Sequence, residues 1–174
     1  MRLHTAPSPK LPTEAPLTER DALYLRQAIG WSRVARERGN RPFGAVVVAA
    51  DGQVLSEAWN NTGETGDCTG HAETTAIRQL AGKADRDTLA QATLYSSAEP
   101  CVMCAGAIFW ANIGRVVDAI VAVRLRVFRG ERAEQRDAEL SCRDVIAASP
   151  HPIDCLGPAL VSESSAPHEG FWQT

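Results

Sequence analysis

The stretch Ala92-Thr-Leu-Tyr-Ser-Ser97-Ala-Glu-Pro100-Cys101-Val-Met-Cys104-Ala-Gly-Ala-Ile-Phe-Trp110-Ala111 decides the fold. Ala92 to Ser97 reads as a short, mostly apolar strand. Pro100 suits the first turn of a helix, where its missing N–H is no loss. Cys101 to Ala111 then reads as a helix without a single charged residue. Arg115 to Val123 reads as a second strand. Strand, helix, strand is a parallel crossover unit. Ligands of such sheets collect at the carboxyl ends of the strands. Ser96, Ser97 and Ala98 are therefore expected beside whatever Cys101 and Cys104 bind.

The two cysteines stand i, i+3, so their sulfurs share one helix face. The N–H groups at a helix start lower a thiol's pKa. Upstream lies His71-Ala-Glu73, which ends 27 residues before Pro100. One imidazole and two thiolates suffice to hold Zn²⁺ and leave a fourth position for water, whose pKa then falls towards about 7. His71, Cys101 and Cys104 are the candidate zinc ligands. Glu73, two residues past His71, is the candidate general acid/base. A C-x-x-C pair alone also fits a redox dithiol or half of a closed structural zinc site. Closure needs a fourth ligand, and Cys68, three residues before His71, is the candidate. The other reading makes Cys68 a small buried residue, the commoner fate of a free cysteine.

At 174 residues the chain is expected to form one domain, residues 18–174, with one continuous core. Its first 16 residues hold four prolines, and 1–17 reads as a disordered leader. The formal net charge is −3 and only Lys10 and Lys83 are lysines, so nucleic acid is not an expected partner. No apolar segment resembles a signal peptide or a membrane span, which points to the cytoplasm and reduced thiols.

Thr18 with Asp21 marks a helix start; Leu25, Ala28, Ile29, Ser32 and Ala35 share its apolar face, and Gly39 ends it. Two apolar runs, Ala45 to Ala50 and Gln53 to Trp59, flank the turn pair Asp51-Gly52 and predict a hairpin. Asn60 to Gly70 reads as a loop, His71 to about Leu80 as a helix. Arg124, Arg126, Arg129, Arg132 and Arg136 interleave with Glu131, Glu134, Asp137 and Glu139, which reads as a mixed-charge solvated segment more readily than as a nucleic-acid patch. Residues 149–174 read as a tail that packs on the domain or on a partner subunit.

Several stretches together resemble the cytidine-deaminase superfamily in its purine-acting branch: Arg41-Pro-Phe-Gly-Ala-Val-Val-Val48, Trp59-Asn-Asn61, Thr69-Gly-His-Ala-Glu73 and Ser97 through Trp110. The pairing H-x-E…P-C-x-x-C is a recurring mark of zinc-dependent base deaminases. The likeness runs from about Asp21 to Arg124. It implies an α/β fold, a three-layer α/β/α sandwich around a five-stranded mixed sheet, with one Zn²⁺ and usually a homodimer. It implies hydrolytic loss of an exocyclic amine from a small base or nucleoside, with release of ammonia. Bacterial guanine deaminases and tRNA-adenosine deaminases are the nearest patterns, and Pro42 to Ala45 with Ile108 to Trp110 look more like the guanine group.

On that resemblance Asn60 is the base-binding asparagine; its other role is to cap a turn. Phe43 and Trp110 either stack on the base or fill the core. The backbone N–H of Ala72 and the carbonyl of Ser97 are candidate contacts to the base. One departure stands out: guanine deaminases carry an acid where Arg124 falls here, and Asp118 lies six residues earlier. A modified purine, a purine nucleoside or an aminated triazine then competes with guanine. His168-Glu-Gly-Phe-Trp172 suits the C-terminal aromatic that many relatives place over the site. The rival readings are a tRNA-adenosine deaminase and a non-catalytic zinc-stabilised module, the latter having no use for Glu73.

Overall fold

The computed structural model describes residues 12–130 and 140–173. Helix α1 (Glu19–Glu37) opens the fold, with the Thr18 side chain accepting the Asp21 N–H. Asp21, Leu25, Ala28, Ile29, Ser32 and Ala35 form its buried stripe. Strands β1 (Gly44–Val48) and β2 (Val54–Trp59) make the expected antiparallel hairpin, and Gly52 in its turn has φ of 98°. Gly44 is required for a second reason: a Cβ there would lie 2.2 Å from the Ala28 carbonyl oxygen of α1.

Between β2 and the next strand lie α2 (Thr62–Thr65), α3 (Ala72–Gln79) and α4 (Arg86–Ala90). Strand β3 (Thr93–Ala98), helix α5 (Val102–Trp110) and strand β4 (Arg115–Ile120) are the parallel crossover read from the sequence. Helices α6 (Ala122–Arg129) and α7 (Cys142–Ala147), strand β5 (Asp154–Leu156) and helix α8 (Val161–Ser165) follow. The five strands among the described residues run in the order β2-β1-β3-β4-β5, antiparallel on the β1 side and parallel on the β4 side.

This is the expected five-stranded mixed sheet between helical layers. Alternate residues of each inner strand serve opposite faces. Val46, Val48, Tyr95 and Val117 meet Leu25, Ala28 and Ile29 of α1. Ala45, Val47, Leu94 and Val116 meet Ala72 and Ala76 of α3, Ala105 and Ile108 of α5, and Cys142 and Ile146 of α7. Both faces being covered, β1 carries no polar alternation.

Several expectations need correction. The second strand of the crossover stops at Ile120 rather than Val123, because the Glu99 carboxylate accepts the Ala122 N–H at 3.0 Å and starts α6 there. The loop from Asn60 to Gly70 contains the single turn α2, whose Gly63 and Glu64 N–H groups are capped by Asn40 Oδ1. Part of the segment expected as a leader packs on the domain: the Ala15 N–H donates to the Pro158 carbonyl at 2.7 Å and Leu17 packs on the α1 core. Its residues 1–11 lie outside the described residues, as do Arg132, Arg136 and the acids from Glu131 to Glu139. Arg124, Arg126 and Arg129 stand on α6. From residue 149 on, the chain supplies β5 beside β4 and buries His168 and Trp172.

Candidate metal centre and active-site cleft

The carboxyl ends of β3 and β4 meet the amino end of β1 and the carboxyl end of β2 at one edge of the sheet. His71 is the N-cap of α3 and Cys101 the N-cap of α5, so two helix starts converge there. His71 Nδ1 lies 3.5 Å from each sulfur, and the sulfurs are 3.6 Å apart. Ligands about 2.0–2.1 Å (nitrogen) and about 2.3 Å (sulfur) from a tetrahedral Zn²⁺ stand roughly 3.5–3.8 Å apart. The three groups therefore fit the ion as they stand. They are the one such cluster among the described residues. Cys68 is not in it and is exposed, so it neither closes the site nor fills the core.

The protonation pattern suits metal capture. The hydrogen bond shared by the two sulfurs lowers the Cys101 pKa to about 4 and raises that of Cys104. The hydrogen bond to Cys101 also raises the His71 pKa. A bound cation deprotonates both thiols.

Glu73 stands in the first turn of α3, 5% exposed, with Oε2 3.4 Å from Cys104 Sγ. Ser96 on β3 donates to its Oε1 at 2.9 Å. Burial pushes the Glu73 carboxyl up. A carboxyl held beside the metal cluster and biased towards taking a proton is suited to proton transfer.

A cleft of about 340 Å³ opens over these groups. Its floor is His71, Glu73 and Cys101; Arg41 and Phe43 form one side, Leu125 and Arg129 of α6 another, with Leu140 and Ser141 before α7. Asn60 is buried at the end of β2, and its side chain is divided between its two readings. Oδ1 accepts from the Thr62 N–H and hydroxyl, capping α2, while the amide nitrogen has no partner. Phe43 lines the cleft and also packs on His168, ring centroids 5.3 Å apart. Ala72 and Ser97 are buried beside the ligands without lining the cleft, and Ser97 Oγ accepts the Gly44 N–H at 3.0 Å.

Trp110 lies outside this chain's cleft. It is 78% exposed, neither in the cleft nor in the core, because α5 turns Cys104, Ala105 and Ile108 inward and leaves Trp110 on the opposite side. Asp118 is also away from the cleft: it is buried, its pKa raised by burial to about 6, and it pairs with Arg143 of α7 at 2.7 Å. Arg124 faces a different groove. Trp172 sits behind Phe43, ring centroids 6.2 Å apart, rather than over the metal cluster. The sequence reading missed Leu125, Arg129, Leu140 and Ser141 as cleft residues. The apolar spacing of α6 was the available signal, and it was masked by the arginines around it.

Fold and ligand set define a zinc-dependent hydrolytic deaminase of nucleobases or nucleosides. Residues 18–120 match the family described as the cytidine and deoxycytidylate deaminase zinc-binding region, and the chain belongs to that family. It is 41% identical over 156 residues to a probable cytosine deaminase of Schizosaccharomyces pombe, covering 90% of this chain and 94% of that one. It is 49% identical over 71 residues to a guanine deaminase of Bacillus subtilis, 41% of this chain and 45% of that one. A solved structure from work on A-to-I editing by tRNA:A34 deaminases superposes with a TM-score of 0.65 at 32% identity, covering 84% of this chain and 99% of the other.

Proposed function

We propose that the chain deaminates a small free base, a guanine-type purine first, with Glu73 as the proton-transferring catalytic residue. The observation that carries the reading is Glu73 itself: a buried carboxyl, anchored at Oε1 by Ser96, with Oε2 turned to the metal cluster. Bound Zn²⁺ supplies a Lewis-acidic centre at which water becomes a nucleophile near neutral pH. Glu73 Oε2 takes one proton from the attacking water as the water oxygen adds to the amine-bearing ring carbon. It gives that proton to the ring nitrogen, then takes the second proton from the hydroxyl of the adduct and passes it to the departing amine, which leaves as ammonia.

Phe43 offers a ring face to the base, and Asn60, which is buried and does not line the cleft, carries an unpaired amide N–H of the kind that binds a carbonyl on a base edge. The cleft volume falls within the range of small-molecule sites. Cytosine is the second reading, favoured by the near-full-length Schizosaccharomyces pombe relative.

The test is ammonia release from guanine, guanosine, adenine, adenosine, cytosine, cytidine, ammeline and an anticodon stem-loop RNA, beside Glu73→Gln. Guanine turnover that disappears in the variant is expected. Turnover of cytosine alone selects the second reading, and turnover of the RNA alone moves the protein to the tRNA-editing group.

We also propose a homodimer in the cytoplasm. All five cysteines are unpaired, which suits a reducing compartment. Trp110 and Val102 leave an apolar face on α5 uncovered. Sedimentation of Trp110→Glu is expected to give the monomer mass, where the unmodified chain gives twice that.

A further inference from the structure

Glu99 links the metal-binding turn to both helices that wall the cleft. Its side chain is 6% exposed, and each carboxylate oxygen has its own task. Oε2 accepts the Ala122 N–H, the first residue of α6, at 3.0 Å. Oε1 accepts the Cys142 N–H, the first residue of α7, at 3.1 Å, and Arg143 Nη1 stands 3.7 Å from it. The Glu99 main-chain N–H donates to the Ile120 carbonyl at 2.8 Å, which fixes the residue against the end of β4. Pro100 and the zinc ligand Cys101 follow directly in the chain. Glu99 itself lines the cleft, beside Ala122, Leu125 and Arg129 of α6 and Leu140 and Ser141 ahead of α7, the residues its carboxylate holds in place.

We propose that Glu99 is a positioning residue that sets the spacing of α6 and α7 over the metal cluster and thereby fixes how tightly the base is held. A carboxylate is needed because both partners are N–H donors at separate helix starts. A glutamine offers one carbonyl oxygen and turns an NH₂ towards the second donor, so one helix start is released. An aspartate keeps both acceptors but is one methylene short, so its reach is incomplete. The inference rests on the deaminase reading for its kinetic consequence, though not for its structural one.

The experiment compares Glu99→Gln and Glu99→Asp with the unmodified zinc-loaded protein on whichever base it deaminates. E99Q is expected to raise KM at least tenfold with kcat within threefold and zinc at one per chain, and E99D to fall between. A role in stability alone would lower Tm and leave KM where it was, and that result overturns the proposal. So does a fall in kcat at constant KM. Amide hydrogen exchange is read in parallel over residues 120–129 and 140–147, where E99Q is expected to speed exchange at least tenfold in one or both segments. Should the unmodified protein deaminate none of the bases, the deaminase reading fails by itself and exchange decides the clamp: faster exchange supports it, unchanged exchange overturns it.

Discussion

Ser96 and Ser97 are neighbours on β3 that point to opposite faces of the sheet, and they give opposite expected phenotypes. Ser96→Ala removes the 2.9 Å hydrogen bond to Glu73 Oε1 and touches no metal ligand. A hydrogen bond to a buried carboxylate contributes about 1.5–3 kcal/mol. If that energy holds Glu73 in its working position, its loss at the transition state lowers kcat by roughly 10- to 100-fold. Ser97→Ala instead leaves the buried Gly44 N–H without its acceptor, which costs about 1–3 kcal/mol of stability. Its kcat is expected to stay within threefold. The assay is steady-state ammonia release at saturating base, beside zinc content and urea unfolding of both variants. Ser96→Ala with kcat within twofold of the unmodified protein, at full zinc content, would refute the claim that Ser96 orients Glu73.

Removing zinc with a strong chelator is expected to abolish ammonia release and lower Tm, both restored by added Zn²⁺, and Cys104→Ser is expected to bind less than one zinc per chain by atomic absorption. Asp21 is held by Arg115, which lowers its pKa to about 2, so its stabilisation is full above about pH 4 and is lost as pH falls through 2. Asp21→Asn should therefore cost about 1–2 kcal/mol in urea unfolding at pH 7, the full linkage value being reduced because Arg115 is partly exposed, and the cost should shrink towards pH 2. His168 shows the opposite dependence on protonation. Burial, with Arg129 and Arg36 nearby, drives its pKa down to about 3, while an unfolded histidine titrates near 6.5. Its neutral form thus supports the fold fully above pH 6.5, and up to about 4–5 kcal/mol is lost as pH falls to 3. His168→Phe, among Phe43, Phe128 and Trp172, is expected to flatten that acid limb in a pH series of Tm values.

What could be read in advance was what local chemistry dictates. The Thr18 cap, the Asp51-Gly52 turn and the Cys101-x-x-Cys104 helix start each carry their reason within a few residues. The metal cluster was legible because its ligand types have few other uses at that spacing. The misses depend on distant partners. Strand β4 ends where it does because of Glu99, whose carboxylate caps α6 at Ala122, 23 residues further along the chain. Three residues between Pro152 and Pro158 make β5 only because β4 offers an open edge. Trp110 looked like a candidate for stacking on a base from its motif, whereas helical periodicity alone would have turned it outward.

The metal ligands come from two separate helices, α3 and α5, with strand β3 threaded between them in sequence. No hairpin and no isolated helix of this chain can present all three. The complete ligand set exists only after β3 has docked beside β1 and both helices have settled on the same face of the sheet. Metal capture is therefore a late event in folding, and tight zinc uptake reports that the chain has already found its topology. In a zinc-poor cell the fold would still be set by its two apolar layers, and the species that accumulates would be an assembled apoprotein awaiting its ion, ready to be activated without refolding.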